Sequence, residues 1–150
     1  MKKKHKKRIR ISIAWFLVVL WAGVIFYASS RDGRQLDDGE GFIGAMRAWL
    51  VELFEGIAGH HVDVSPLGHF GEYGIFGLLL CWAFFQHMKA KKAWKYSWAS
   101  VAFYGLTDEF HQIFVPGRTA DILDWCVDMC GSGAGILVFL GILSLISRKR

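Results

Sequence analysis

The chain has 150 residues, of which 53% are hydrophobic and 15% aromatic, and only two are prolines. This composition and a mean hydropathy of +0.30 exclude ordinary soluble domains and disordered chains, and predict a single membrane domain over residues 1–150. The formal net charge of +5 is best explained by membrane topology, so no nucleic-acid partner is expected.

Four apolar segments have the length that a tilted transmembrane helix needs, about 17 to 25 residues. They are residues 11–29, 68–85, 94–114 and 125–146. Their backbones must be helical, because lipid cannot satisfy exposed amide groups and four short spans cannot close a barrel. The predicted fold class is therefore an all-α membrane protein with four transmembrane helices.

The basic residues predict how these helices are oriented. Fourteen of the 18 lysines and arginines lie in residues 2–10, 89–95 and 148–150, and these stretches contain no aspartate or glutamate. Because cytoplasmic loops carry the basic excess, both termini are predicted to be cytoplasmic. The loops at residues 30–67 and 115–124 are then external, on a protein of the plasma membrane.

A cleaved signal peptide is the alternative for the beginning of the chain. A basic segment precedes an apolar stretch that ends in Ala28, Ser29 and Ser30. That stretch is longer than the usual apolar core of about 7 to 15 residues, which favours a retained helix. Cleavage would leave three transmembrane helices. Since an odd number of crossings puts the two termini on opposite sides of the membrane, they could not then both be cytoplasmic.

The first external loop is predicted to contain an amphipathic helix. Apolar residues recur at helical spacing over residues 42–57, while Arg47, Glu52 and Glu55 lie off that stripe. With about 16 residues and interleaved charges it is a poor span, and we expect it in the outer headgroup layer or folded over the bundle. It serves either as a packing lid or as a gate for lipid entry.

Polar residues cluster at the outer ends of the last three spans. The spacing i, i+3, i+4, which places side chains on one helix face, occurs twice, in His69, Glu72 and Tyr73 and again in Asp108, His111 and Gln112. Glu109 is offset by about 100° of helical turn. Asp121 and Asp124 begin the fourth helix, where Thr119 or Asp121 can cap free amides. The turn at residues 115–117 directs Arg118 back toward the carboxylates.

Ionisable groups at membrane depth cost about 2.5 to 3.5 kcal/mol each on insertion scales, so this cluster needs pairing, water or a function. Pairing alone is one explanation, in which polar contacts tie the helices together and Asp121 or Asp108 neutralises Arg118. Such a role requires one or two contacts. The larger number of groups favours a functional site.

The sequence resembles the VanZ-like family of small bacterial membrane proteins over nearly its whole length. The motifs are Ser29-Ser30, His69-Phe70 with Glu72-Tyr73, Asp108-Glu109 with His111-Gln112, Arg118, Asp121, Asp124, Asp128 and the glycines of residues 131–135. One departure is visible, since the basic residue that often precedes the motif histidine is replaced by residues 65–68, which carry no base. The family is named for a member linked to teicoplanin resistance. The resemblance implies action on a lipoglycopeptide or another amphiphilic envelope compound, and glycopeptide resistance.

Two histidines and up to five carboxylates indicate two kinds of chemistry. Imidazole and carboxylate ligands suit a divalent metal cofactor such as Zn, Mn or Fe, which would activate water or polarise a phosphoryl or carbonyl group. Without a metal, Glu72 or Glu109 could act with His69 or His111 as an acid/base pair. No serine or cysteine obviously pairs with either histidine, which disfavours nucleophilic acyl transfer.

The residues divide into two predicted roles. Those expected to carry acid/base or metal-assisted hydrolysis or group transfer are His69, Glu72, Asp108, Glu109 and His111. Those expected to bind the substrate are Tyr73, Gln112, Arg118, Asp121 and Asp124, with the planar guanidinium suited to a phosphate or carboxylate. The alternative function is a non-catalytic binder that sequesters such amphiphiles among membrane lipids. One small bundle encloses little volume, so a homodimer sharing the site is a further option.

Overall fold

The computed structural model describes residues 2–30, 41–60 and 64–149, which form five α-helices and contain no β-strand. The helices are α1 (Lys2–Ser29), α2 (Gly41–Ala58), α3 (Ser65–Phe85), α4 (Ala90–Gln112) and α5 (Ile122–Arg148). The all-helical prediction is confirmed. Much of the predicted external loop, residues 31–40 and 61–63, lies outside the described residues, as do several side chains at the start of α2.

Within the described part of the chain, three helices are long and apolar enough to cross a membrane: Lys4–Ser29, Ser65–Phe85 and Ile122–Arg148. They correspond to the first, second and fourth predicted spans. α4 covers most of the third, but it begins with lysines and ends with Asp108 and Glu109, so its composition is less apolar. α2 covers the predicted loop helix, residues 42–57.

α3 lies at the centre of the bundle and packs against α1, α4 and α5. Trp15 of α1 donates to His87 just beyond α3, whereas Trp21, further along α1, donates to the carbonyl of Glu72 near the beginning of α3. α1 and α3 therefore run antiparallel. α4 and α5 also run antiparallel, because Trp125 donates to the carbonyl of Ala102, whereas Trp98, one turn earlier on α4, donates to the carbonyl of Met129, one turn later on α5. As a result the lysine-rich segments gather at one end of the bundle and the predicted polar cluster at the other.

Small residues bring the backbones of α3 and α5 into contact. A side chain at Gly131 would overlap the carbonyl of Phe70, and one at Gly135 would overlap the carbonyl of Gly74. A Cβ at Gly77 would lie 2.6 Å from the carbonyl oxygen of Ser132. Such a stripe of small residues is how membrane helices approach closely. It also sets the register that brings the start of α3 beside the second turn of α5.

The core joins α1 to α3 and α4 through the buried side chains of Ala14, Val18, Ile25, Tyr73, Phe76, Leu80, Ala83 and Val101. Tyr104 of α4 adds a hydrogen bond of 2.6 Å to the carbonyl of Ala22. The outer faces of α1 and α5 instead expose large apolar side chains along most of their length. An apolar surface of this extent suits contact with lipid.

Candidate functional site

A cavity of about 390 Å³ opens at the end of the bundle away from the lysine-rich segments. Its walls are formed by α1, α3 and α4, with Leu50 of α2 and Arg118 of the α4–α5 connection at the margin. The polar residues that line it are Ser29, Ser65, His69, Glu72, Asp108, Gln112 and Arg118. The apolar ones include Trp21, Val24, Tyr27, Leu67 and Ile75. The cavity is thus mostly apolar, with charged groups among its lining residues.

His69 is paired with Asp128 across the contact between α3 and α5. Its Nδ1 lies 3.1 Å from Oδ1 of Asp128, whose side chain is completely buried. His69 lines the cavity, and in the tautomer whose Nδ1 donates to this carboxylate, Nε2 is the ring nitrogen that can accept a proton. The other oxygen of Asp128 has no hydrogen-bond partner among the described residues. A buried carboxylate that orients an imidazole in this way is a common support for a general base.

Asp108 is a second buried carboxylate, and it lines the cavity. Its Oδ2 accepts a hydrogen bond of 3.1 Å from the Tyr73 hydroxyl and a longer one of 3.5 Å from Nε2 of Gln112. Its Oδ1 is buried without a partner in the described ranges. Tyr73, predicted to bind substrate, is itself fully buried and does not line the cavity. It holds Asp108 in place.

Glu72 and Arg118 are the other charged residues of the lining. No ion pair joins them within the described chain. The Arg118 Nε is buried and lacks a hydrogen-bond partner among the described residues. Both groups are therefore available to a ligand.

Glu109 and Asp121 stabilise the connection between α4 and α5 and do not line the cavity. Oε2 of Glu109 accepts the backbone amide of Asp121 at 2.7 Å, and Oδ1 of Asp121 accepts that of Leu123 at 2.8 Å. The predicted helix cap is confirmed at Asp121, which immediately precedes α5. Asp124 does not line the cavity either.

The structure separates the two histidines. The ring of His111 packs against Phe26 of α1, with ring centroids 4.5 Å apart, and it does not line the cavity. Its Nδ1 is buried and has no hydrogen-bond partner in the described residues. Of the five predicted catalytic residues, the cavity brings together His69, Glu72 and Asp108.

The described residues do not bring together a ligand set for the divalent metal that the sequence left open. No three histidine, cysteine, aspartate or glutamate side chains of the described residues are grouped so that they could hold an ion. The reason is visible in the contacts. Glu109 and Asp121 are engaged in the connection, and His111 packs on α1.

Sequence reasoning missed the α1 wall of the cavity and one serine. α3 begins at Ser65, three residues before the predicted span, so Ser65 is four residues from His69 on the same helix, and both line the cavity. The expectation that no serine stands at helical spacing from a histidine was wrong, because the helix start was misplaced. The only sequence signal for Ser65 is its spacing of four residues from His69, which places both on one helix face if the helix begins early enough.

The profile of the VanZ/LLP1 family matches residues 14–145, which include every residue that lines the cavity. The chain belongs to this family. No curated protein and no solved structure matches it. The expected membership is confirmed, and together with the apolar helices it identifies the chain as a VanZ-like membrane protein.

Proposed function

We propose that this VanZ-like protein binds an amphiphilic compound of the bacterial cell envelope in the cavity and acts on it through His69. The observation that carries the proposal is the cavity itself. Its mostly apolar lining contains His69, Glu72, Asp108 and Arg118. Ligand sites commonly combine an apolar lining with a few convergent polar groups. A molecule with an apolar tail and a charged headgroup matches both parts.

The proposal includes a fourth membrane crossing by α4. Its charged residues lie near its two ends, and residues 96–107 carry no charge. The carboxylates of Asp108 and Glu109 are buried against other helices, which removes them from lipid. With four crossings, both termini lie on the same side of the membrane, together with the lysine-rich segments. The positive-inside rule assigns this side to the cytoplasm. The cavity then faces outward from the plasma membrane.

α2 completes this arrangement as an external helix. It exposes Trp49, Leu53 and Ile57, while Leu50 lies at the margin of the cavity. Exposed apolar groups of this kind suit the outer headgroup layer. In that position α2 would stand beside the route by which an amphiphile reaches the cavity.

The chemistry proposed is acid/base hydrolysis or group transfer. Asp128 holds the His69 imidazole so that Nε2 can accept a proton from water or from a hydroxyl group of the bound compound. The same imidazole can then return that proton to the leaving group as the bond to this group breaks, while the carboxylate of Glu72, one turn along the same face of α3, stabilises the imidazolium that forms in between. No metal enters this scheme.

A second candidate is a non-catalytic binder that sequesters the amphiphile. The observation that favours it is the availability of Glu72 and Arg118, which form no ion pair with each other in the described structure. They could hold a headgroup without any reaction. His69→Gln distinguishes the two candidates. An enzyme that acts through His69 would lose turnover of the amphiphile and still bind it, whereas a binder would have no turnover to lose.

Filling the cavity tests both candidates. Gly71 lines it, and no atom of the described residues lies within 4 Å of where its Cβ would be. We expect Gly71→Leu to leave the fold intact and to abolish crosslinking of a photoactivatable amphiphile to the purified protein. Gly133→Leu is the matched control, because Gly133 has equally open space and lies outside the cavity.

Glycopeptide resistance, implied by the family resemblance, is tested with the same two variants. In a susceptible bacterial host, the wild type and Gly133→Leu should raise the teicoplanin concentration that stops growth, and Gly71→Leu should not. Equal crosslinking or equal resistance of Gly71→Leu and the wild type would contradict a role for the cavity.

A further inference from the structure

Opposite charges face the cavity from separate elements. Glu72 stands on α3 and Arg118 in the connection between α4 and α5, and both line the cavity without forming an ion pair in the described chain. Charges in a largely apolar setting are costly unless a partner compensates each of them. A ligand that carries both signs would compensate both.

Asp108 supplies a second, independent observation. Its side chain is 4% exposed and lines the cavity, and its Oδ1 lacks a hydrogen-bond partner among the described residues. An oxygen that can only accept, when buried in this way, calls for a donor from a ligand. Asp108 is therefore suited to an ammonium group, as Glu72 is.

The balance of charges argues against simpler headgroups. A purely anionic headgroup bound to Arg118 would be repelled by the carboxylates of Glu72 and Asp108 in the same cavity. A purely cationic headgroup would leave the buried Nε of Arg118 without a hydrogen-bond acceptor. His69 adds no uncompensated positive charge to this balance, because the carboxylate of Asp128 lies 3.1 Å from its Nδ1.

The lining also indicates where an apolar tail would lie. Val24 and Tyr27 of α1 and Leu67 and Ile75 of α3 line the cavity, and all four are at least 36% exposed. The cavity is thus open between α1 and α3, on a surface that faces lipid if these helices cross the membrane. Gly71, without a side chain, leaves room in this gap.

We propose that the ligand is a zwitterionic amphiphile that enters sideways from the bilayer between α1 and α3. Its amine binds Glu72 and Asp108, its phosphate or carboxylate binds Arg118, and its tail occupies the gap. This inference rests on the proposed function, because it specifies the chemistry of the same cavity.

The experiment is a competition between lipids with identical chains, read by native mass spectrometry of the purified full chain. The probes are phosphatidylethanolamine (zwitterionic), phosphatidylglycerol (anionic) and a trimethylammonium lipid (cationic). Wild-type protein should retain the zwitterionic lipid about tenfold over the other two, the ratio that about 1.4 kcal/mol produces. Gly71→Leu should retain none specifically.

Charge variants give the decisive result. Glu72→Gln should shift the preference toward the anionic lipid and Arg118→Gln toward the cationic lipid. Glu52→Gln, on the exposed surface of α2, is the matched control and should change nothing. Wild-type selectivity that survives both variants, or a wild-type preference for the anionic lipid, would overturn the inference.

Failure of the inference can be told from failure of the proposed function. If the wild type retains all three lipids equally and Gly71→Leu retains none, the preference for a zwitterionic ligand is wrong, but the binding of an amphiphile in the cavity is supported. Retention of no lipid by the wild type, together with no crosslinking of the photoactivatable amphiphile, would overturn both.

Discussion

The pairing of His69 with Asp128 is the residue-scale feature on which the proposed chemistry depends. Asp128 is fully buried, and its contact with His69 spans two helices that are far apart in the sequence. Polar contacts between membrane helices contribute about 0.6 kcal/mol on average and at most about 1.7 kcal/mol. Because the Asp128 carboxylate is buried and has His69 as its partner, we expect the energy of this contact to lie toward the upper value.

A double-mutant cycle with His69→Ala and Asp128→Ala should therefore give a coupling energy of about 1 to 1.7 kcal/mol in the free energy of unfolding. The measurement is unfolding in detergent, followed by circular dichroism. Asp124→Ala, one turn away on α5, is the control and should couple to His69 by less, since no hydrogen bond joins them. Equal coupling in both cycles would mean that the pair is not formed as described.

At the scale of elements, the glycine contacts between α3 and α5 fix the geometry of the cavity. A methyl group at Gly135 would overlap the carbonyl of Gly74, whereas one at Gly133, two residues earlier, would have no described atom within 4 Å. Overpacking of this kind typically costs about 1 to 3 kcal/mol.

Gly135→Ala should accordingly lower the melting temperature in detergent and also weaken amphiphile crosslinking, because it separates α3 from α5 and moves His69 from Asp128. Gly133→Ala should leave both unchanged or slightly raise the melting temperature, since alanine is the better helix former. If the two variants melt at the same temperature, the helices do not touch along this stripe.

α4 shows how composition and packing can disagree within one element. Its composition is less apolar than that of the three candidate spans, yet Asp108, Glu109 and Gln112 are all buried against neighbouring helices. A hydropathy average counts these residues as exposed to lipid. Their burial depends on α1, α3 and the α4–α5 connection, which no local window can represent.

The lysine-rich segments lie at one end of the bundle and the cavity lies at the other, which predicts the orientation of the molecule in the membrane. Green fluorescent protein fused to either terminus should fluoresce, and alkaline phosphatase fused to the C-terminus should be inactive. Phosphatase inserted after Gly117, in the connection beside the cavity, should be active. Active phosphatase at the C-terminus would contradict an even number of crossings.

The sequence by itself determined the helices, the polar end of the bundle and the family. Hydropathy and helical spacing are local properties, so they located four of the five described helices to within about four residues at each end, although α1 begins nine residues before the predicted span. They also grouped His69 with Glu72, and Asp108 with Gln112, on shared faces. The same spacing could not tell which groups meet across helices.

The tertiary structure alone decided those partners. It paired His69 with Asp128, assigned Glu109 and Asp121 to the connection, and placed His111 against Phe26. It also brought α1 to the cavity as an apolar wall. The physical reason is register: the close backbone contact of α3 with α5 sets which turns are adjacent, and that contact depends on both helices at once.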